Sequence, residues 1–289
     1  MGFPTAFFNY LLLAIFGGSD RIEIARKEGL QVIFDTHMHC DYSCDSHMKI
    51  AAAIEAADKQ NIGIIITEHW DDDYPTNPTA FMFDVDDYFA RFGSFRSEKV
   101  LLGIEIGMQK QTAAADEALA AAYPFDYVLA SMHCVNGRDL YEERCYAGQT
   151  KVEAVREFLT DTIANLELHD NFDAFAHIDY MCRYMPFTDK ELVLSEAPEL
   201  FDKVFKILVE KEKPLEINTR RLNDPLAVQA LLKLYKRYAL LGGKYTVLGS
   251  DAHYQEHVGR WLTEALALAD AAGLEPVYFK ERKMRKMRN

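Results

Sequence analysis

A single α/β barrel is the fold that this sequence of 289 residues predicts, on three observations. Seven short apolar or β-branched runs recur along the chain, separated by stretches with helical periodicity. Almost every run ends in a histidine or a carboxylate. No Ser/Gly/Pro-rich linker, repeat or low-complexity stretch interrupts the series, and an α/β barrel of this size is ordinarily one domain.

The runs lie at 31–35, 62–67, 100–106, 125–130, 172–176, 214–218 and 245–248. Parallel strands buried on both faces by crossover helices read as such near-continuous apolar runs. Between them, Val155, Phe158, Leu159, Thr162, Ile163 and Leu166 form one stripe at helical spacing, and Leu200, Val204, Ile207 and Leu208 another. Strict β/α alternation implies a parallel sheet, open or closed. The polar residues favour closure. FDTHMH, IIITEH, LLGIEIG, VLASMH, AFAHID and VLGSDAH each deliver a ligand-type side chain at a strand end. The C-terminal strand ends of a barrel meet on one rim, whereas an open sheet spreads them along a line.

The flanks are less informative. The apolar run 3–16 is shorter than the ~20 residues of a spanning helix. No basic residue precedes it and no small-residue cleavage site follows, so a signal peptide fits poorly. A helix packed on the barrel or on a partner subunit is expected there. The division predicted is an N-terminal extension over 1–30 and one barrel over 31–289, with the basic KERKMRKMRN end as a solvated tail.

Composition narrows the function. With 49 % hydrophobic and 27 % charged residues the chain builds a large core and is not disordered. A net charge of -13 counts against nucleic acid, whose affinity rests on phosphate neutralisation by cations. A small substrate fits better, and no membrane partner is expected. The cysteines at 40, 44, 134, 145 and 182 are odd in number, scattered and without a CxxC pair, which suits reduced thiols in the cytoplasm.

His37 and His39 stand two apart at a strand end, so both imidazoles reach one side. Asp35 shares that face and is positioned to orient a ligand histidine. Asp251 and His253 repeat the geometry at the last strand. Glu105 ends an apolar strand, where an unpaired carboxylate is costly; its two oxygens suit a bridge between two cations. His69, His133 and His177 each follow an apolar run, so six of nine histidines sit at strand ends. His47, His169 and His257 fall outside this pattern and read as structural.

In order, DTHMHCDYSCDS, ITEH, GIEIG, ASMHC, AHIDY and GSDAH resemble the motifs of the PHP (polymerase and histidinol phosphatase) superfamily, from Asp35 to about His253. The resemblance implies a distorted TIM-like (βα)7 barrel and a site for two or three divalent ions, Zn, Mn or Fe. It implies a first ion on His37, His39, Glu105 and Asp251, a second shared through Glu105 with His133 and His177, and a third on Asp45, His69 and His253. Asp41 rivals Asp45 within CDYSCDS. Glu105, Asp251 and His253 are the candidate catalytic residues.

Two segments, HIDYMCRY and LEINTRRL, resemble the histidinol-phosphatase branch, in which arginines at such places grip the substrate phosphate. That implies Arg183 and either Arg220 or Arg221, whose planar guanidinium suits a phosphate. A metal-dependent phosphoric monoester hydrolase acting on L-histidinol phosphate, as in histidine biosynthesis, or on a related metabolite is expected. For that substrate's amine and imidazole, the loops DDDYPTNP and NGRDLYEERCYAG offer carboxylates and tyrosines. The alternatives are a nuclease or protein-tyrosine phosphatase of the same superfamily, an amidohydrolase-like C–N hydrolase, and a non-catalytic metal-binding protein. The amidohydrolase reading lacks the bridging lysine that it expects on a middle strand.

Overall fold

The computed structural model describes residues 32–287. The apolar run 3–16, expected as a packed helix, lies outside the described residues, as does the rest of the 1–30 extension. Seven parallel strands carry the fold: β1 (Phe34–Asp35), β2 (Gly63–Trp70), β3 (Val100–Gly107), β4 (Tyr127–Ser131), β7 (Ala174–Phe175), β8 (Leu215–Asn218) and β9 (Tyr245–Gly249). Each pairs in parallel with its successor in this order. All seven overlap the runs expected from sequence.

The ring closes just beyond the short β1. Thr36 N–H donates to Leu248 O and Asp251 N–H to His37 O, both at 2.8 Å, and Met38 bridges Ala252 in parallel register. The last strand is thereby tied to the segment that carries the HxH pair. Helices α1 (Ile50–Gln60), α2 (Val85–Phe92), α3 (Ala113–Ala122), α4 (Lys151–Leu168), α5 (Pro198–Glu210), α6 (Pro225–Leu240) and α7 (Leu262–Ala272) follow the seven strands in turn. A Thr150/Glu153 capping box starts α4, whose Val155, Phe158, Leu159, Ile163 and Leu166 are all buried, as the stripe requires. The chain is a distorted TIM-like (βα)7 barrel.

Two hairpins were not legible. One, β5 (Cys134–Val135) with β6 (Arg138–Asp139), follows β4 directly. The other corrects the expected solvated tail: β10 (Glu275–Lys280) pairs in parallel with β9 and turns back as β11 (Lys283–Lys286). Its two-residue loop, Glu281–Arg282, has positive φ at both positions. That is the type I′ twist a tight hairpin favours, at a cost in strain for non-glycine residues. Arg282 offsets it, with its Nε donating to Asp173 at 2.6 Å and its N–H to Asp126 O at 2.9 Å. Phe34 stacks on Tyr278, and Tyr127 on Phe279, so the hairpin covers the end of the barrel opposite the ligand-bearing rim.

Among the described residues no helix is long and apolar enough to cross a membrane. All five cysteines are free.

Candidate metal centre

The strand register assembles the centre. In the β2–β3 ladder His69 sits opposite Glu105. The closing bridge sets His37 and His39 beside Asp251, which holds a left-handed backbone with φ of 54°. His133 follows β4 and His177 follows β7 on the same rim.

Glu105 is at the middle of the cluster, fully buried. Its Oε2 lies 3.3 Å from His37 Nε2, 3.4 Å from His39 Nε2 and 2.9 Å from His69 Nδ1. Its Oε1 lies 2.9 Å from His177 Nε2 and 3.3 Å from His133 Nε2. Asp251 Oδ1 is 3.5 Å from His39 Nε2. Asp45 Oδ2 is 3.2 Å from His253 Nε2 and 3.7 Å from His69 Nε2. The nine residues expected as ligands thus converge on one site, with the two oxygens of Glu105 facing different histidines. Asp41, the rival of Asp45, is turned away: its carboxylate takes Lys49 Nζ at 2.5 Å and Arg91 Nη2 at 3.3 Å. His47, His169 and His257 lie elsewhere, and His169 is bonded to the Asn165 carbonyl and Asp116.

Divalent cations fit this donor set. Glu105 Oε2, His69 Nδ1 and His133 Nε2 are buried without a hydrogen-bond partner, and orphaned groups of this kind need either a partner or a cation. Several triads of ligand atoms lie within 4.8 Å of one another, among them His37–His39–Glu105, Glu105–His133–His177 and His39–His69–His253. Burial, with His69 and His253 beside it, holds the His39 imidazole well below the usual histidine range, in the neutral form that ligation requires. Burial pushes the Glu105 carboxyl up, but His37, His133 and His69 outweigh it and keep it well below the carboxylate range.

A ring of carboxylates orients the imidazoles from behind, and the sequence did not single these out. Glu216 Oε1 accepts from His37 Nδ1 at 2.8 Å, and its Oε2 accepts the His177 N–H at 2.8 Å. Asp71 Oδ1 accepts from His133 Nδ1 at 2.7 Å. Ser43 Oγ lies 3.2 Å from His39 Nδ1 and donates to Glu68 at 2.6 Å. These contacts leave each Nε2 free for the centre. The motif glycines admit them: a Cβ on Gly107 would lie 1.8 Å from Asp71 Oδ1, and one on Gly249 would lie 2.1 Å from Glu216 Oε1. Asp35, expected to orient a histidine side chain, instead accepts the backbone N–H of Ser250 and Gly259, each at 2.8 Å. It braces the closing seam, and Glu216 takes the orienting role.

The centre opens into a cavity of about 460 Å³. Arg183 and Arg220 line its wall together with Tyr74, Asp139, Tyr141, Tyr180 and Tyr184, and the Arg183 guanidinium lies over the Tyr180 ring, 5.1 Å from its centroid. Arg183 Nη1 donates to Asp251 at 2.6 Å and Nη2 to Asn218 at 3.1 Å, while its buried Nε has no partner. Arg220 Nη1 is 3.6 Å from Asp251. Arg221 does not line this cavity. It pairs with Glu191, and with Asp179 at 3.1 Å. Of the two arginines in the 3-10 turn Thr219–Arg221, Arg220 lines the cavity and Arg221 does not.

Fold and site together define a metallohydrolase barrel, and the comparisons agree: residues 35–220 match the PHP domain, and the chain belongs to that family. It is 43 % identical over 254 residues to a probable histidinol-phosphatase of Clostridium acetobutylicum, covering 88 % of this chain and 99 % of the relative. It is 30 % identical to the histidinol-phosphatase of Lactococcus lactis subsp. lactis, over 83 % of this chain and 91 % of that one. A crystal structure of the Lactococcus histidinol phosphate phosphatase, complexed with zinc, L-histidinol and phosphate, superposes with a TM-score of 0.83 at 30 % identity, over 88 % of this chain and 99 % of that one.

Proposed function

We propose that this protein is a metal-dependent phosphoric monoester hydrolase that converts L-histidinol phosphate to L-histidinol. The observation that carries the reading is Glu105, which presents one carboxylate oxygen to His37 and His39 and the other to His133 and His177, beside a cavity walled by two arginines. The relatives' names point to the same substrate.

In this reading His37, His39, Glu105 and Asp251 hold one divalent ion. Glu105, His133 and His177 hold a second, and Asp45, His69 and His253 a third. Zinc, manganese and iron all suit such mixed N/O ligation. Ions held there supply Lewis-acid charge that activates water and neutralises the phosphoryl oxygens. Arg183 and Arg220 grip the phosphate, and Asp251 aims the Arg183 fork while serving as a ligand. Glu105, Asp251 and His253 are the ligands that would hold the ions at the reacting phosphate. Residues 31–289 form one catalytic unit with 1–30 as an extension. In this reading the enzyme acts in the cytoplasm, which its free cysteines and the biosynthetic relatives support.

The test is a phosphate-release assay with Mn or Zn on L-histidinol phosphate, phosphotyrosine and a phosphodiester. L-Histidinol phosphate is expected to give a kcat/KM at least about tenfold above the others, a preference of ~1.4 kcal/mol. A preference for the diester or for phosphotyrosine would overturn the reading.

A further inference from the structure

Asn218 ends strand β8, two residues after Glu216 on the same face, and is only 2 % exposed. Its carboxamide is used on both sides. The Oδ1 accepts Arg183 Nη2–H at 3.1 Å and Arg220 N–H at 3.0 Å. The Nδ2 donates to Glu216 Oε2 at 3.2 Å, the oxygen that also accepts the His177 N–H. The partners dictate this orientation of the amide, since two N–H donors need its oxygen and a carboxylate needs its nitrogen.

Both arginines of the cavity wall are reached through this one neutral side chain. Arg183 is held at Nη1 by Asp251 and at Nη2 by Asn218, while its buried Nε has no acceptor. A guanidinium is a rigid planar fork, so holding both Nη atoms also fixes the direction of the Nε–H bond. Arg220 is fixed through its main chain. Asn218 caps the 3-10 turn Thr219–Arg221, from which the Arg220 side chain reaches to 3.6 Å from Asp251. Other residue types meet these demands less well. An aspartate would set a second buried carboxylate against Glu216, and a serine hydroxyl ends one bond short of the same partners.

We propose that Asn218 is the positioning residue of the phosphate grip, holding the Arg183 side chain and the Arg220 main chain in the directions from which they meet a phosphate. The proposal rests on the reading that these two arginines grip the phosphate, and deepens it. Asn218 does not line the cavity and acts through the arginines.

The experiment titrates inorganic phosphate calorimetrically into the manganese-loaded enzyme, beside the kinetics of L-histidinol phosphate and phenyl phosphate. In Asn218→Ala the Kd for inorganic phosphate is expected to rise about tenfold, the size of a lost hydrogen bond to a charged group. The kcat/KM should fall by a similar factor for both esters, mostly through KM, with manganese content unchanged. In an Arg183→Ala background the same change should cost less than about threefold, because the fork that Asn218 holds is gone. A tenfold cost in that background, an unchanged Kd in the single variant, or a loss of turnover that follows lost manganese would each overturn the assignment. If Arg183→Ala binds inorganic phosphate as wild type does, the underlying reading fails instead. If Asn218→Ala does not fold, judged by near-ultraviolet circular dichroism, Asn218→Ser decides, because its hydroxyl still caps the turn but does not reach Arg183. Weakened phosphate binding in that variant supports the proposal, and a wild-type Kd overturns it.

Discussion

The two ends of the barrel treat buried charge in opposite ways. At the end covered by the β10–β11 hairpin, each buried carboxylate has its own fixed partners. Asp126 accepts Leu102 N–H at 3.0 Å, Glu281 N–H at 3.0 Å and Arg96 Nε at 2.8 Å. Asp173 accepts Val128 N–H at 2.8 Å and Arg282 Nε at 2.6 Å. At the opposite rim Glu105, Asp251 and six histidines crowd together, with Glu105 Oε2 and His133 Nε2 left without partners. The carboxylates Asp126 and Asp173 at one end are satisfied by protein atoms alone, and Glu105 at the other is not. In an α/β barrel this asymmetry separates the face that confers stability from the face that carries chemistry.

The comparison breaks most sharply at Glu105. Glu105→Gln keeps the volume and removes the charge that both histidine pairs face. Turnover should fall by ~10³-fold or more, since ion-held charge supplies several kcal/mol to such reactions. Elemental analysis of wild type, purified without chelator, should find more than one divalent equivalent per chain, and the variant should hold less. Full turnover in Glu105→Gln, or at most one equivalent in supplemented wild type, would make the rim as self-contained as the opposite end.

A smaller effect is expected at Arg183. Its fork loses charge-assisted hydrogen bonds to phosphate in Arg183→Ala, about 1.5–3 kcal/mol, or roughly 10- to 150-fold in kcat/KM. The loss should be common to every phosphate monoester, because the phosphate is their shared part. Arg221→Ala is the control: its Asp179 and Glu191 partners lie off the cavity, so kcat/KM should move by less than about threefold. If both variants lose the same amount, the assignment of Arg220 over Arg221 is wrong.

How far the sequence went follows from the same contrast. The strands and the rim residues were readable because each strand repeats one signal, an apolar run ending in a ligand-type residue. The carboxylates behind them were not. Glu216 in LEIN carries the same buried-glutamate signal as Glu105, but its partner His37 is 179 positions away and only closure of the ring brings them together. Asp35 looked like the orienting residue because it shares a face with His37, yet the seam offers it two backbone N–H groups first. Arg220 and Arg221 could not be separated, because a 3-10 turn does not alternate as a strand does. The C-terminal hairpin was hidden by charge: KERKMRK reads as solvated until Asp173 and Asp126 are placed opposite Arg282.

That hairpin gives the last and smallest effect on activity. The Arg282 side chain is 25 % exposed, and it ties the hairpin loop to Asp173 and to the Asn171 carbonyl at 3.1 Å. Arg282→Ala leaves the Asp173 carboxylate with the Val128 N–H as its hydrogen bond and leaves the strained loop held by its main-chain bonds to Asp126 alone. Removing one partner of a largely buried pair costs about 1–3 kcal/mol of stability. The bonds lost are all at the end opposite the metal centre, so kcat/KM per folded molecule and metal content should stay within about twofold of wild type. Urea unfolding followed by circular dichroism gives the first quantity, and steady-state kinetics the second. A variant of unchanged stability would show that the loop holds without Arg282. One that loses activity while still folded would show that the two ends are coupled, which the separate hydrogen-bond networks of the rim and the hairpin do not provide.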